Sequence, residues 1–181
     1  MIIFMTERNV QGANHPSDEY IDLINGNDVV VGKELRSVVY KEGFSNFRVV
    51  NGFFRNEAGQ FWIPRRQSNK TIFPNALDFS IGEHVKSGES YAAAIKRGAQ
   101  EETNVDTDVT GYQFVGKLTP EHDGTAAFMQ VYEIPLEKEP VYNPDDFSES
   151  FWLFPDELKR LLVKGEPAKS DLSIVMNKLY S

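Results

Sequence analysis

The chain has 181 residues, one ordinary domain at about 100 to 200 residues each. Its 40% hydrophobic content, with 13 Phe, 7 Tyr and 2 Trp, supplies a core, and the lack of any cysteine excludes disulfides, thiolate zinc sites and cysteine nucleophiles. The 19 Lys plus Arg against 27 Asp plus Glu leave a net charge of -8, which argues against a nucleic-acid polymer as partner.

The apolar start, Met1 to Met5, is far shorter than a signal-peptide core or the ~20 residues of a membrane span. No membrane partner and a cytoplasmic protein are therefore expected. Residues 1–18 are polar and turn-rich beyond Met5 and are expected to be a flexible N-terminal segment ahead of a single domain over 19–181. Tyr20-Ile-Asp-Leu-Ile24 alternates, Asn25-Gly26 is a strong hairpin signal and Val29-Val-Val31 follows, so a hairpin opens the domain. Leu35, Val38 and Val39 mark a short helix ending at Gly43, which completes an N-terminal extension over 19–43. Phe47 to Phe54 and Phe61 to Ile63 read as aromatic-rich strands joined by the turn at 55–60. After a loop carrying Pro64 and Pro74, residues 90–103 read as a helix with Ala94, Ile95 and Ala99 on its apolar positions. Tyr112 to Leu118 and Ala126 to Ile134 read as strands, followed by a Pro-rich loop over 135–150. Two C-terminal helices complete 155–181: one begins at Pro155, turns Leu158, Leu161 and Leu162 inward and ends at Gly165, and one is capped by Ser170. Strands, helix, strands, helices is the order of an α+β domain layered α/β/α.

The chemistry must come from somewhere other than the common motifs. G-x-S-x-G, the P-loop, G-x-G-x-x-G and H-E-x-x-H are all missing, and His15, His84 and His122 are too scattered for a histidine-rich metal site. If 90–103 is helical, positions 98, 101 and 102 project from one face and set the carboxylates of Glu101 and Glu102 side by side. Adjacent carboxylates repel unless a cation lies between them, and a hard divalent ion is the usual resolution. On spacing alone, a solvated acidic helix end explains the pair as well.

The segment Ile81 to Val105 resembles the Nudix box: Gly, any five, Glu, any seven, Arg-Glu, an aliphatic, any one, Glu-Glu, any one, Gly, an aliphatic. Glu89, Arg97, Glu101, Glu102 and Val105 match it at the right spacings, with the box running over 83–105. Glu19-Tyr-Ile-Asp-Leu, Arg65-Arg66, Pro74 with Leu77-Asp78, and Trp152 with Pro155-Asp-Glu-Leu158 are similar to the branch related to isopentenyl diphosphate isomerase. The resemblance implies the Nudix fold, a mixed β-sheet between helices. It also implies a magnesium (Mg2+) or manganese (Mn2+) cofactor, a small-molecule diphosphate substrate, and a homodimer paired through the N-terminal hairpins.

Carried over position by position, Glu102 is a metal ligand and Glu101 a ligand or the group that orients water. Arg97 steadies Glu89 or Glu101, and Arg65 and Arg66 are the candidates for diphosphate contact, because a guanidinium fork matches phosphate oxygens. Glu149, in the loop before Trp152, is a candidate late ligand or base, as such loops supply in this family. From the residues themselves, Phe73, Tyr142 and Phe147 are candidates for stacking on a base, and core or loop packing explains each as well. Three positions depart from the pattern. Asn104 replaces the terminal Gly, a mild change, since Asn also tolerates the left-handed turn that ends a helix. Glu83 replaces the first Gly, and Gly98 replaces a metal-binding Glu.

Gly inside a helix costs about 1 kcal/mol against Ala, so either something packs closely on Gly98 or a constraint has been lifted. Glu83 is the expected source of a compensating metal ligand. The leading expectation is a divalent-metal-dependent pyrophosphohydrolase acting on a nucleoside diphosphate linked to another moiety. The alternative is a catalytically impaired Nudix fold kept as a ligand-binding or regulatory module. Isopentenyl diphosphate isomerisation is set aside, because its cysteine aligns with Gly82.

Overall fold

The structure, a computed structural model, describes residues 18–180, so the flexible segment expected over 1–18 lies, apart from Asp18, outside the described residues. Strands β1 (Tyr20–Ile24) and β2 (Val30–Leu35) form the expected N-terminal hairpin, and helix α1 (Arg36–Glu42) follows, ending at Gly43 in the left-handed conformation. The main sheet takes β3 (Arg48–Arg55), β4 (Phe61–Arg66), β5 (Ile81–His84), β6 (Gln113–Leu118), β7 (Phe128–Pro135) and β8 (Phe147–Leu153). Its order is β6-β7-β3-β4-β8, with β5 also paired to β3. β3 and β7 run parallel while the other pairs are antiparallel, which makes the sheet mixed.

Period-two alternation explains the layering. Phe54, Trp62 and Val50 face helix α2 (Tyr91–Thr103), packing with Ala94, Ile95 and Ala99. Phe53, Phe61 and Ile63 face the opposite way, against Leu158 of α5 (Pro155–Val163) and Leu172, Val175 and Met176 of α6 (Ser170–Leu179). Each large side chain buried this way contributes about 1.5–3 kcal/mol, so the adjacent aromatics of β3 bind both helical layers to one strand. Two further one-turn helices, α3 (Thr107–Thr110) and α4 (Pro120–Asp123), connect strands.

The chain departs from the sequence expectations in three places. The 135–150 loop ends early, because Phe147 already begins β8, whose antiparallel register sets Glu149 opposite Arg65. β5 was not expected at all; it pairs with β3 through Val49 to Gly52. Ser170 is the first residue of α6, and Lys169 takes the N-cap position without a side-chain cap bond.

β3 shares one edge between two partners. It meets β4 only at Arg55 and Phe61, next to the turn, whereas β5 takes the other half of that edge. β4 then runs on to pair with β8. The candidate site lies among the ends of these strands.

Candidate active site

The helix that carries the box is built by local chemistry. Ser90 Oγ accepts the Ala93 N–H at the N-cap, and Asn104 ends the helix at φ 56. Between them stands Arg97, whose five N–H donors all find acceptors. Nε and Nη2 reach Glu89 at 3.0 and 3.1 Å, Nη1 reaches Glu83 at 2.9 Å and Glu101 at 3.2 Å, and Nη2 also donates to the His84 carbonyl at 2.8 Å. One guanidinium therefore ties the helix to both ends of the loop before it. Burial alone would lower its pKa, but Glu89 and Glu83 more than offset this and hold it charged.

Glu89 closes the loop on itself by accepting the Lys86 N–H at 3.0 Å. Burial works against its charge, but the hydrogen bonds from Arg97 and Lys86 prevail and keep the carboxyl below its ordinary value of 4.5. A depressed carboxylate adds stability that is present above the unfolded value and lost as pH falls through the folded one. Thermal melts of Glu89→Gln are thus expected to show a lower Tm at pH 7 and a shallower decline between pH 5 and 3 than the native protein. Equal acid slopes in the two proteins would remove Glu89 from this account. His84, next to the loop, is pushed by burial down to about 3 and stays neutral, sharing a 2.7 Å hydrogen bond with the Tyr40 hydroxyl.

The two neighbouring box glutamates part company. Residues i and i+1 of a helix lie about 100° apart and do not face each other, so Glu101 turns outward beside Arg97 with its side chain 57% exposed. Glu102 turns inward to within hydrogen-bonding reach of Glu83, and burial together with the facing acids Glu83 and Asp78 pushes its carboxyl well above the usual range.

Gly98 lies one turn away from Glu102 on α2, facing β5. A Cβ there would stand 2.6 Å from Glu83 Cγ and 2.9 Å from Ile81 Cγ2, so the glutamate side chain from the strand fills the space against the helix. The two departures from the box are thus one packing arrangement: an acid on the loop side where the box has Gly, and Gly on the helix side where the box has an acid.

Glu102 lines a cavity of about 160 Å³ with Gly82, Asp78 and Phe79 on one side and Arg66, Lys70, Asp146, Phe147 and Lys169 around the rest. Arg66 donates to Asp78 at 2.8 Å and to the carbonyls of Ile72 and Phe73, and Lys70 pairs with Asp146. Arg65 does not join them; it is held by Glu149 at 2.6 Å and Glu166 at 2.8 Å. Glu149 is accordingly committed to an ion pair at the β4–β8 edge. Of the aromatic candidates, Phe147 lines the cavity, Tyr142 packs on Trp62 and Phe147, and Phe73 is exposed at φ 52. Lys169, Lys70 and Asp146 escaped the sequence reading, since no local pattern announces residues brought in from three separate loops.

Among the described residues, no three His, Asp or Glu side chains converge closely enough to hold a metal by themselves. The residues that could hold one with help from other ligands are the facing pair Glu83 and Glu102. This pair suits magnesium, which is commonly held by one or two carboxylates and completes its shell with water and substrate phosphate oxygens.

Comparison with known proteins identifies the family. The model of the NUDIX domain matches residues 46–173. An uncharacterized Nudix hydrolase of Nostoc is 50% identical over 163 residues, covering 90% of this chain and 96% of the relative. The crystal structure of a Deinococcus radiodurans protein superposes with a TM-score of 0.84 at 41% identity, covering 90% of this chain and 100% of that one. A MutT protein from Methanosarcina mazei, at 18% identity and a TM-score of 0.58, shares the fold over 74% of this chain and 91% of its own. The chain belongs to the Nudix hydrolase family. Members of this family generally use divalent metals and act on small molecules, and no helix among the described residues is long and apolar enough to cross a membrane.

Proposed function

We propose that the protein is a divalent-metal-dependent pyrophosphohydrolase that splits a nucleoside diphosphate linked to another moiety. The observation that carries this reading is the cavity in which Glu102, backed by Glu83, faces Arg66, Lys70 and Lys169. A lining that mixes the acids Glu102, Asp78 and Asp146 with the cations Arg66, Lys70 and Lys169 suits a metal-bound diphosphate. Glu83 and Glu102 would hold the magnesium or manganese ion, and when bound it supplies neutralisation of phosphate charge and a polarised water. Arg66, already oriented by Asp78, offers its fork to phosphate oxygens, and Phe147 gives the cavity an apolar wall. Arg97 acts at a distance, fixing Glu83 in place and leaving Glu102 free to face the cavity. Glu101 holds the outer side of Arg97. Gly98 argues for a catalytically impaired binding module only while its acid is missing, and Glu83 fills the space where that acid would project.

The lack of cysteine and the acidic balance support a cytoplasmic protein working on small diphosphates. The exposed valines Val29, Val30 and Val31 at the hairpin support pairing of two copies there. The test is release of nucleoside monophosphate from a panel of nucleoside diphosphate derivatives with magnesium, with manganese and with chelator. Turnover that appears with metal and vanishes with chelator is expected, while a panel left untouched under all three conditions would overturn the reading.

A further inference from the structure

The segment after α5 also reaches the site. Leu77 and Ala168 form a parallel bridge, in which the Leu77 N–H donates to Pro167 O at 2.8 Å and the Lys169 N–H to Leu77 O at 2.9 Å. These bonds fix the Lys169 backbone alongside the segment between β4 and β5 that delivers Asp78, an acid only 4% exposed. Lys169 Nζ lies 3.2 Å from Asp78 Oδ1, and the same side chain lines the cavity with Glu102. The ammonium crosses the strand at Gly82, where a Cβ would stand 3.0 Å from Nζ. Bare backbone at that point leaves the ammonium its path into the cavity.

The three cations of the cavity are not equally engaged. Lys70 has Asp146 as its own partner, and Arg66 is divided between Asp78 and two loop carbonyls. Lys169 shares Asp78 with Arg66 through a single oxygen, whereas an ammonium carries three donors. We propose that Lys169 is a phosphate-binding residue of this site, aimed by Asp78 and given room by Gly82, and that it donates to an oxygen of the substrate diphosphate. This rests on the reading of the cavity as a diphosphate site. It adds that the segment leading into the C-terminal helical layer joins β4 and the loop after it in furnishing the cations of that site.

The test uses inorganic pyrophosphate as probe, titrated calorimetrically into the full chain with and without Mn2+. Lys169→Met keeps the apolar stem and removes the charge. It is expected to weaken pyrophosphate about tenfold in both conditions, the effect of losing one charge-assisted hydrogen bond, while Mn2+ alone binds within about twofold of native. Lys169→Arg should regain most of the affinity. Gly82→Ala, whose methyl would stand 3.0 Å from Lys169 Nζ and 3.1 Å from the buried Asn51 Oδ1, should weaken pyrophosphate severalfold and add little to the loss in a Gly82→Ala/Lys169→Met double variant. If Lys169 serves only a structural ion pair, Lys169→Met lowers the melting temperature and leaves pyrophosphate affinity at the native value, and the proposal is overturned. Native protein that takes up no pyrophosphate at millimolar concentration overturns it equally. Native binding that is indifferent to Mn2+ but lost in Lys169→Met would sink the metal reading and sustain Lys169.

Discussion

Glu102→Gln is expected to lower turnover by about a hundredfold or more while raising the melting temperature of the metal-free protein. The two effects share one cause. In the folded chain, burial and the facing acids Glu83 and Asp78 disfavour the charged carboxylate. A carboxyl with a raised folded pKa costs stability as pH climbs from its ordinary value through the folded one, because the folded state must then either keep a proton that the unfolded state has released or tolerate a repelled charge. Glutamine has the same shape without that charge. The gap in Tm between variant and native should therefore be small at pH 4 and widen toward pH 8. On the proposed reading activity needs the charge that stability resists, and the same substitution removes an oxygen proposed to hold the metal. Native-like turnover by the variant would remove Glu102 from the chemistry.

Gly98→Glu alone is expected to destabilise the fold by about 2–3 kcal/mol, the cost of forcing atoms into a packed interior. The added stem would meet Glu83 Cγ and Ile81 Cγ2 at 2.6 and 2.9 Å, and the added carboxylate would join two that already repel. Glu83→Gly alone opens the space but takes an acid from the pair, and Mn2+ affinity should fall about 10- to 100-fold. The double variant restores the box pattern, with Gly on β5 and Glu on the helix. It is expected to recover most of the stability lost in Gly98→Glu, a coupling of about 2 kcal/mol in denaturant titrations, together with the metal affinity lost in Glu83→Gly. Additive stabilities would show that the two positions do not exchange one role, and unchanged Mn2+ affinity in Glu83→Gly would end the case for compensation.

How much of this could be read in advance varied with the range of the interaction responsible. Helix α2 and its ends were legible because Ser90 and Asn104 act within a few residues of themselves. The layering was legible in the order of the elements, and strand alternation in the structure sends Phe53 and Phe54 to opposite faces. Glu101 and Glu102 were expected side by side, yet helical geometry turns neighbours apart, and only the burial of one face decides which becomes the interior acid. Arg65 and Arg66 looked equivalent as a pair. The β4–β8 register separated them, giving Arg65 to Glu149 and Arg66 to Asp78. β8 was hidden because Phe-Ser-Glu-Ser-Phe directly follows a Pro-rich stretch, and its partner β4 lies some eighty residues earlier. Lys169 had no local signature at all, since its position depends on the bridge between Ala168 and Leu77.

The contact between Glu83 and Gly98 also bears on how such a chain could arise. Acids at both positions would collide, and glycines at both would leave Glu102 with Asp78 as its facing acid. A single step back toward the common box is therefore either crowded or short of one acid. The present pair is a second packing solution, in which exchanging one residue alone disturbs the contact that the other has filled.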